Sequence, residues 1–306
     1  MQALADRWIP PELGNAGMLR PGRWLPARGL VWMAVLIGAI VLAYVPGVQA
    51  LSHGLPPQSG LEFLVRLGGA VLALGVYAVL VRVGDGRSAV EIAPAAAPAG
   101  LLAGLAIGAV LFAAVMAILV GSGLYDFAWV GPVPAWRAAG LAMEAGVVEE
   151  LIVRGVILRL LWRGFGPWPA FAASAVLFGA GHIGNPGATF FSAACVAIEA
   201  GIMLASFYAL TGRLWVSIGV HAGWNFTQGH VFGAAVSGGD FGAAMGRSTA
   251  RAGHPAWLTG GAFGPEASLP ALLVCTAAGV AVLWLARRAG RFGKPPARLS
   301  SGQSGP

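Results

Sequence analysis

Three short stretches carry the side chains that could move protons. Glu149, Glu150 and Arg154 lie in "VVEELIVRGV", Phe178 and His182 in "FGAGH", and His221 and Asn225 in "HAGWN". Together they offer carboxylates, two imidazoles and an amide, the parts needed to activate water and to stabilise an oxyanion. On a helix Glu150 and Arg154 stack as i and i+4 in the favourable carboxylate-first order, while Glu149 is turned by about 100°. Arg154 can then neutralise or orient one carboxylate and leave the other free for proton transfer. The plainer alternative is a buried ion pair that only fixes helix packing, but two adjacent acids exceed what one arginine can neutralise. Each histidine taken alone reads as a hydrogen-bonded core residue; the combination is what suggests a site.

The elements that must position these residues are membrane helices. Of the 306 residues 57% are hydrophobic and 10% charged, and the mean hydropathy is +0.75, so the solvent for much of the chain is lipid. Apolar runs near the roughly 20 residues that span a bilayer fall at approximately 30 to 51, 63 to 84, 98 to 121, 138 to 162, 168 to 186, 188 to 211, 213 to 233 and 268 to 288. The expected fold is therefore all-α, a polytopic transmembrane helical bundle of about eight spans. Residues 1–29 form a cytoplasmic N-terminal segment without the pattern of a removable signal peptide. Residues 30–288 form the membrane domain, and 289–306 a disordered cytoplasmic tail. Ionisable groups at membrane depth are functional hypotheses by default, and the fourth span, which holds Glu144, Glu149, Glu150 and Arg154, must face a protein interior or a wet cavity. Glu199 in the sixth span could line the same cavity, and Glu144 could reach its outer end.

The basic residues set the orientation. With the N-terminus inside, the cytoplasmic segments hold Arg7, Arg20, Arg23, Arg28, Arg82, Arg87, Arg159, Arg163, Arg213, Arg287, Arg288, Arg291, Lys294 and Arg298. The opposite side holds only Arg137, Arg247 and Arg251. That asymmetry places both termini in the cytoplasm and explains the basic pI through anionic lipid at the cytoplasmic face, with no nucleic-acid partner. Gly100, Gly104 and Gly108 make a small-residue ridge for close helix packing. Cys195 and Cys275 read as small buried residues. Trp129, Trp136, Trp162, Trp168 and Trp215 read as an interfacial belt, His230 as an outer-interface residue, and His53 and His254 as loop residues. The Gly-rich stretch from 234 to 267 reads as a flexible external lid or spacer.

The order EExxxR, FxxxH, HxxxN across three membrane helices resembles the CPBP family of intramembrane proteases, the CAAX protease and bacteriocin-processing (Abi) family that includes the Rce1-type prenyl-protein endopeptidases. The resemblance covers about 138–232. It implies an intramembrane endopeptidase acting on a membrane-embedded protein or peptide, in which Glu149 with His182 activates water and His221 with Asn225 stabilises the oxyanion. Glu150, Arg154 and Phe178 become supporting residues. The family is described both as metal-free and as metal-dependent. Glu149, His182 and His221 would make an acceptable zinc set with an open position, but HExxH is absent, and metal-free chemistry is preferred over a divalent cation such as zinc. The Ala/Gly/Arg-rich composition suggests a bacterial inner membrane. Two readings of other classes stand beside this one: a proton-coupled transporter, whose relay also needs Glu and His at depth, and a non-catalytic membrane scaffold.

Overall fold

The computed structural model describes residues 9–52, 54–56 and 58–292. His53, Arg7, Lys294, Arg298 and most of the expected tail lie outside them. Among the described residues the chain runs as successive helical rods: α1 (Leu25–Ser52), α2 (Gly60–Leu80, extended by Val81–Asp85) and α3 (Ala97–Gly121), then α4 (Trp136–Glu150, continued through Leu151–Leu158 and Arg159–Phe165). α5 (Pro167–Gly181), α6 (Phe190–Val196, Ala197–Ile202 and Met203–Thr211), α7 (Leu214–Phe226 and Thr227–Val231) and α8 (Leu269–Arg288) follow.

The rods correspond one to one with the expected spans, and five of them, α1, α2, α3, α6 and α8, are long and apolar enough to cross a membrane by length and composition. The other three, α4, α5 and α7, are those that carry the glutamates and histidines. Leu42, Val83, Leu102, Val110, Val176 and Leu273 stand exposed on the outside of the bundle, as a lipid-facing surface requires. The most enclosed of the five apolar rods is α6.

Close backbone contact ties α3 to α7. A Cβ built on Gly104 would lie 2.4 Å from the Val216 carbonyl oxygen, and one on Gly108 2.1 Å from that of Val220. The expected ridge thus faces α7, which answers with Gly219 and Gly223 against Leu101 and Leu105 of α3.

Four of the rods carry π-helical segments: besides Val81–Asp85 at the end of α2, α4, α6 and α7 widen at Leu151–Leu158, Ala197–Ile202 and Thr227–Val231. Such turns are rare and cluster at functional sites because the extra residue re-aims the side chains that follow. Here the last three directly follow Glu150, contain Glu199, and lie two residues after Asn225.

Several sequence expectations are corrected. Arg159, counted as a cytoplasmic surface charge, is fully buried: its Nη1 lies 2.7 Å from Asp85, which also accepts from Trp32 Nε1 at 2.6 Å. Arg213 donates to the Val90 carbonyl. Trp129, Trp136 and Trp168 are exposed, but Trp162 and Trp215, expected in the same belt, are buried, Trp162 among Phe171 and Phe292 and Trp215 donating to the Ala93 carbonyl. Residues 234 to 267 are folded. Strand β2 (Gly246–Ala250) pairs antiparallel with β1 (Tyr125–Trp129), Tyr125 donates to the Thr259 carbonyl at 2.8 Å, and Phe263 is buried beside Phe178 and Val196. The fold is all-α apart from this ribbon. His230 is buried against the Ala243 carbonyl.

Candidate active site

α4 delivers two carboxylates to two different surroundings. Glu150 is fully buried, whereas the Glu149 side chain is about one-third exposed, at 36%. Glu150 Oε1 accepts from Arg154 Nη1 at 2.6 Å and faces His221 Nδ1 at 3.1 Å. Arg154 also donates to the carbonyls of Ala200 and Gly201 on α6 and lies 4.7 Å over the Phe178 ring. One buried guanidinium therefore gathers α4, α5 and α6 around a single carboxylate.

The other carboxylate faces both imidazoles. Glu149 Oε2 is 3.9 Å from His182 Nε2 and 4.0 Å from His221 Nε2. That oxygen is buried and has no hydrogen-bond partner. His182 caps α5 at its C-terminus, and its Nδ1 meets the Phe178 carbonyl at 2.8 Å. A carbonyl only accepts, so Nδ1 carries the hydrogen and Nε2 turns its lone pair toward Glu149. The FxxxH spacing thus works through the phenylalanine backbone as well as its ring, which packs edge-on against His182 and His221.

A cavity of about 50 Å³, room for a few water molecules, opens beside this group. Phe178, His182, His221 and Asn225 line it, with Glu199 from α6. Glu144 does not reach it. That side chain is engaged by Tyr44 and Arg66 instead, in a network with Glu62 and Arg137. Two lining residues were missed from the sequence: Ser237 and Glu266, both from the stretch read as a flexible lid. The acid in "FGPEA" was the available signal, but a Gly-rich context gave no reason to fold it inward. Cys195 and Cys275 are free and buried, and Cys275 lines the cavity.

Glu149, His182 and His221 do not fit a metal ion as they stand. Donors bonded at zinc distances sit about 3.4 Å apart around a tetrahedral centre, closer than the 3.9 and 4.0 Å seen here. Among the described residues no group of three or more His, Cys, Asp or Glu side chains is arranged to hold a metal. The gap suits a bridging water held between acceptors.

Comparison with curated proteins and with solved structures gives no match. A family model does match: residues 130–227, which run from before α4 into the π-helical end of α7 and include all three motifs, fit the type II CAAX prenyl endopeptidase Rce1-like family. The helices that assemble these carboxylates and imidazoles are therefore similar to an Rce1-like domain.

Proposed function

We propose that this integral membrane protein hydrolyses a peptide bond of a membrane-associated protein or peptide, with Glu149 as the general base. The observation that carries the proposal is the unpartnered Glu149 Oε2, held between two imidazole nitrogens at 3.9 and 4.0 Å. A water there would donate one hydrogen to Glu149 and the other to His182 Nε2. Its oxygen would attack the peptide carbonyl as Glu149 takes the proton, and the carbonyl electrons would move onto oxygen. His221, as an imidazolium matched by Glu149 and Glu150, would present Nε2–H to that oxyanion, and Asn225 a side-chain N–H. As the tetrahedral intermediate collapses, the C–N bond breaks and Glu149 returns its proton to the leaving nitrogen. The products are a carboxylic acid, which then gives its proton to the amine or to water, and the released amine. Glu150 and Arg154 are positioning residues that act through His221.

The family name points to CAAX-type, prenylated substrates, while the composition suggests a bacterial plasma membrane, for which the roles proposed are peptide maturation, bacteriocin immunity or processing of a membrane protein. The arginines that remain at the cytoplasmic ends, such as Arg20, Arg23, Arg287 and Arg288, would contact anionic lipid.

The test is comparative N- and C-terminal proteomics of membranes carrying wild-type or Glu149→Gln protein. New termini that appear only with wild type are expected, and a thousandfold or so loss of cleavage in the variant fits removal of a general base and its water. Identical termini in both membranes would sink the protease reading. Repeating the comparison after chelation should leave cleavage intact, since the steps above use only side chains of the chain; loss on chelation and recovery with one added metal would overturn that mechanism.

A further inference from the structure

Among the described residues six acidic side chains are buried: Glu62, Asp85, Glu91, Glu150, Glu199 and Glu266. Four are matched by arginine. Glu62 pairs with Arg66 and Arg137, Asp85 with Arg159, Glu91 with Arg87, and Glu150 with Arg154. Glu199 and Glu266 form no ion pair among the described residues. They line the same cavity from opposite parts of the chain, α6 and the folded 234 to 267 segment. One oxygen of each, Glu199 Oε1 and Glu266 Oε2, is buried without a hydrogen-bond partner, while the other Glu266 oxygen accepts from the Ser237 backbone and hydroxyl.

A buried carboxylate without a counter-charge is among the costliest features a fold can carry. This chain supplies arginine to its other buried acids, and the cavity wall contains neither lysine nor arginine. Burial raises the Glu266 carboxyl to about 8, so with the cavity empty it keeps its proton, and a cation arriving from outside would draw it into the charged form. The rest of the lining near these acids is apolar, with Val196, Met203, Leu204 and Cys275. Apolar walls ending in carboxylates match a methylene stem ending in a cation. Space for only a few waters favours a compact ammonium over a planar guanidinium. The same cavity holds His182, His221 and Asn225, so the cation belongs on the chain that is being cleaved.

We propose that Glu199 and Glu266 form a subsite for a lysine side chain of the substrate, beside the scissile peptide bond. The assignment rests on the protease reading above, and it names the substrate class: membrane-associated peptides with a lysine close to the cleavage site. Ser237 holds Glu266 in place, which makes the folded lid a determinant of specificity.

Two measurements on the full chain in nanodiscs separate this subsite from the catalytic reading. In the first, n-pentylammonium is titrated against protein labelled with methyl-¹³C methionine, and the Met203 resonance is followed, assigned through Met203→Leu. A saturable shift is expected in wild type and in Glu149→Gln, weakened about tenfold or more in Glu199→Gln and Glu266→Gln, with no saturable shift from n-pentanol. Equal shifts with amine and alcohol, or amine binding unaffected by both Gln variants, would overturn the subsite and leave the protease reading untouched. In the second, quenched-fluorescent peptides that differ only by lysine or norleucine at each position in turn are compared. One position should favour lysine about tenfold or more, and Glu199→Gln should lower cleavage of the lysine peptide far more than that of its norleucine counterpart. Cleavage that depends on Glu149 with no lysine preference at any position also overturns the subsite. Amine binding without any Glu149-dependent cleavage would instead overturn the protease reading. Because glutamine keeps the shape of glutamate, a norleucine rate that falls as far as the lysine rate in the Gln variants would mark a structural role and count against the proposal.

Discussion

At the scale of single residues, the two adjacent glutamates have separate surroundings and should respond differently to the same change. Glu149→Gln removes the proposed base itself. Glu150→Gln keeps an oxygen for Arg154 and His221 but removes the negative charge that orients the imidazole and balances an imidazolium, an arrangement like that of other carboxylate–histidine pairs, whose loss costs roughly 10- to 100-fold in activity. We therefore expect kcat to fall by about that factor in Glu150→Gln with KM little changed, and cleavage kinetics on any identified substrate would check it. A loss as large as that of Glu149→Gln would mean the two acids share one role. The contact between Glu150 and Arg154 was legible in the sequence, because i and i+4 meet on any α-helix. The contact between Glu150 and His221 was not. It spans 71 residues and depends on how α4 crosses α7, a distance over which a local pattern carries no register.

At the scale of elements, the site depends on how closely α7 sits against α3. The glycine ridge was readable as a ridge; its partner was not, since small residues permit close approach without saying to what. Gly108 meets the Val220 carbonyl, next to His221, so the side chain most harmful to the site is one that touches no catalytic atom. Gly108→Val should force the two backbones apart, cost about 1–3 kcal/mol or more and reduce cleavage by displacing His221 and Asn225. Gly75 on α2 has open space where its Cβ would go, and Gly75→Ala should be neutral or slightly stabilising. Thermal unfolding in detergent compares the pair; equal behaviour of the two variants would show that the ridge is not a packing contact. The π-helical segments beside Glu150 and Asn225 had no signature in the sequence, because hydrophobic periodicity over so few residues does not separate 3.6 from a wider turn. The folded lid was missed for a related reason. Its glycines serve turns and close approaches, such as Gly238 at φ +78 with a Cβ position 1.9 Å from the Pro186 carbonyl oxygen, and composition alone cannot tell such glycines from those of a flexible linker.

At the scale of the whole molecule, the end of α4 remote from the lid is pinned by a charged knot that the sequence presented as surface charge. Arg159 bonds Asp85 at 2.7 Å and the Gly155 carbonyl at 2.8 Å; the Tyr77 hydroxyl donates to Glu91 and lies 3.0 Å from the same carbonyl, and Arg87 pairs with Glu91 at 2.7 Å. Burial works to raise the Glu91 carboxyl, but the Arg87 bond and the Arg159 charge outweigh it and hold the group below the usual carboxylate range. Trp32 brings α1 into the knot through Asp85, and the N-terminal segment joins by the bond from Arg163 to the Gly14 carbonyl. α4 is thereby fixed to α1, α2 and the N-terminal segment at one end while its other half presents Glu149 to the two imidazoles. A buried pair of this kind specifies an arrangement more than it stabilises one: removing one partner strands a charge and costs about 3–5 kcal/mol, whereas replacing both with apolar groups is often neutral. Asp85→Leu and Arg159→Met should each lower the unfolding temperature sharply, and the double variant should recover most of the loss. Cleavage by the double variant then reports what the knot specifies. Recovered stability with impaired cleavage would show that it sets the position of α4 and so of Glu149; full recovery of both would mean that apolar packing alone suffices, and additive losses of stability would show that the two charges do not act as a pair.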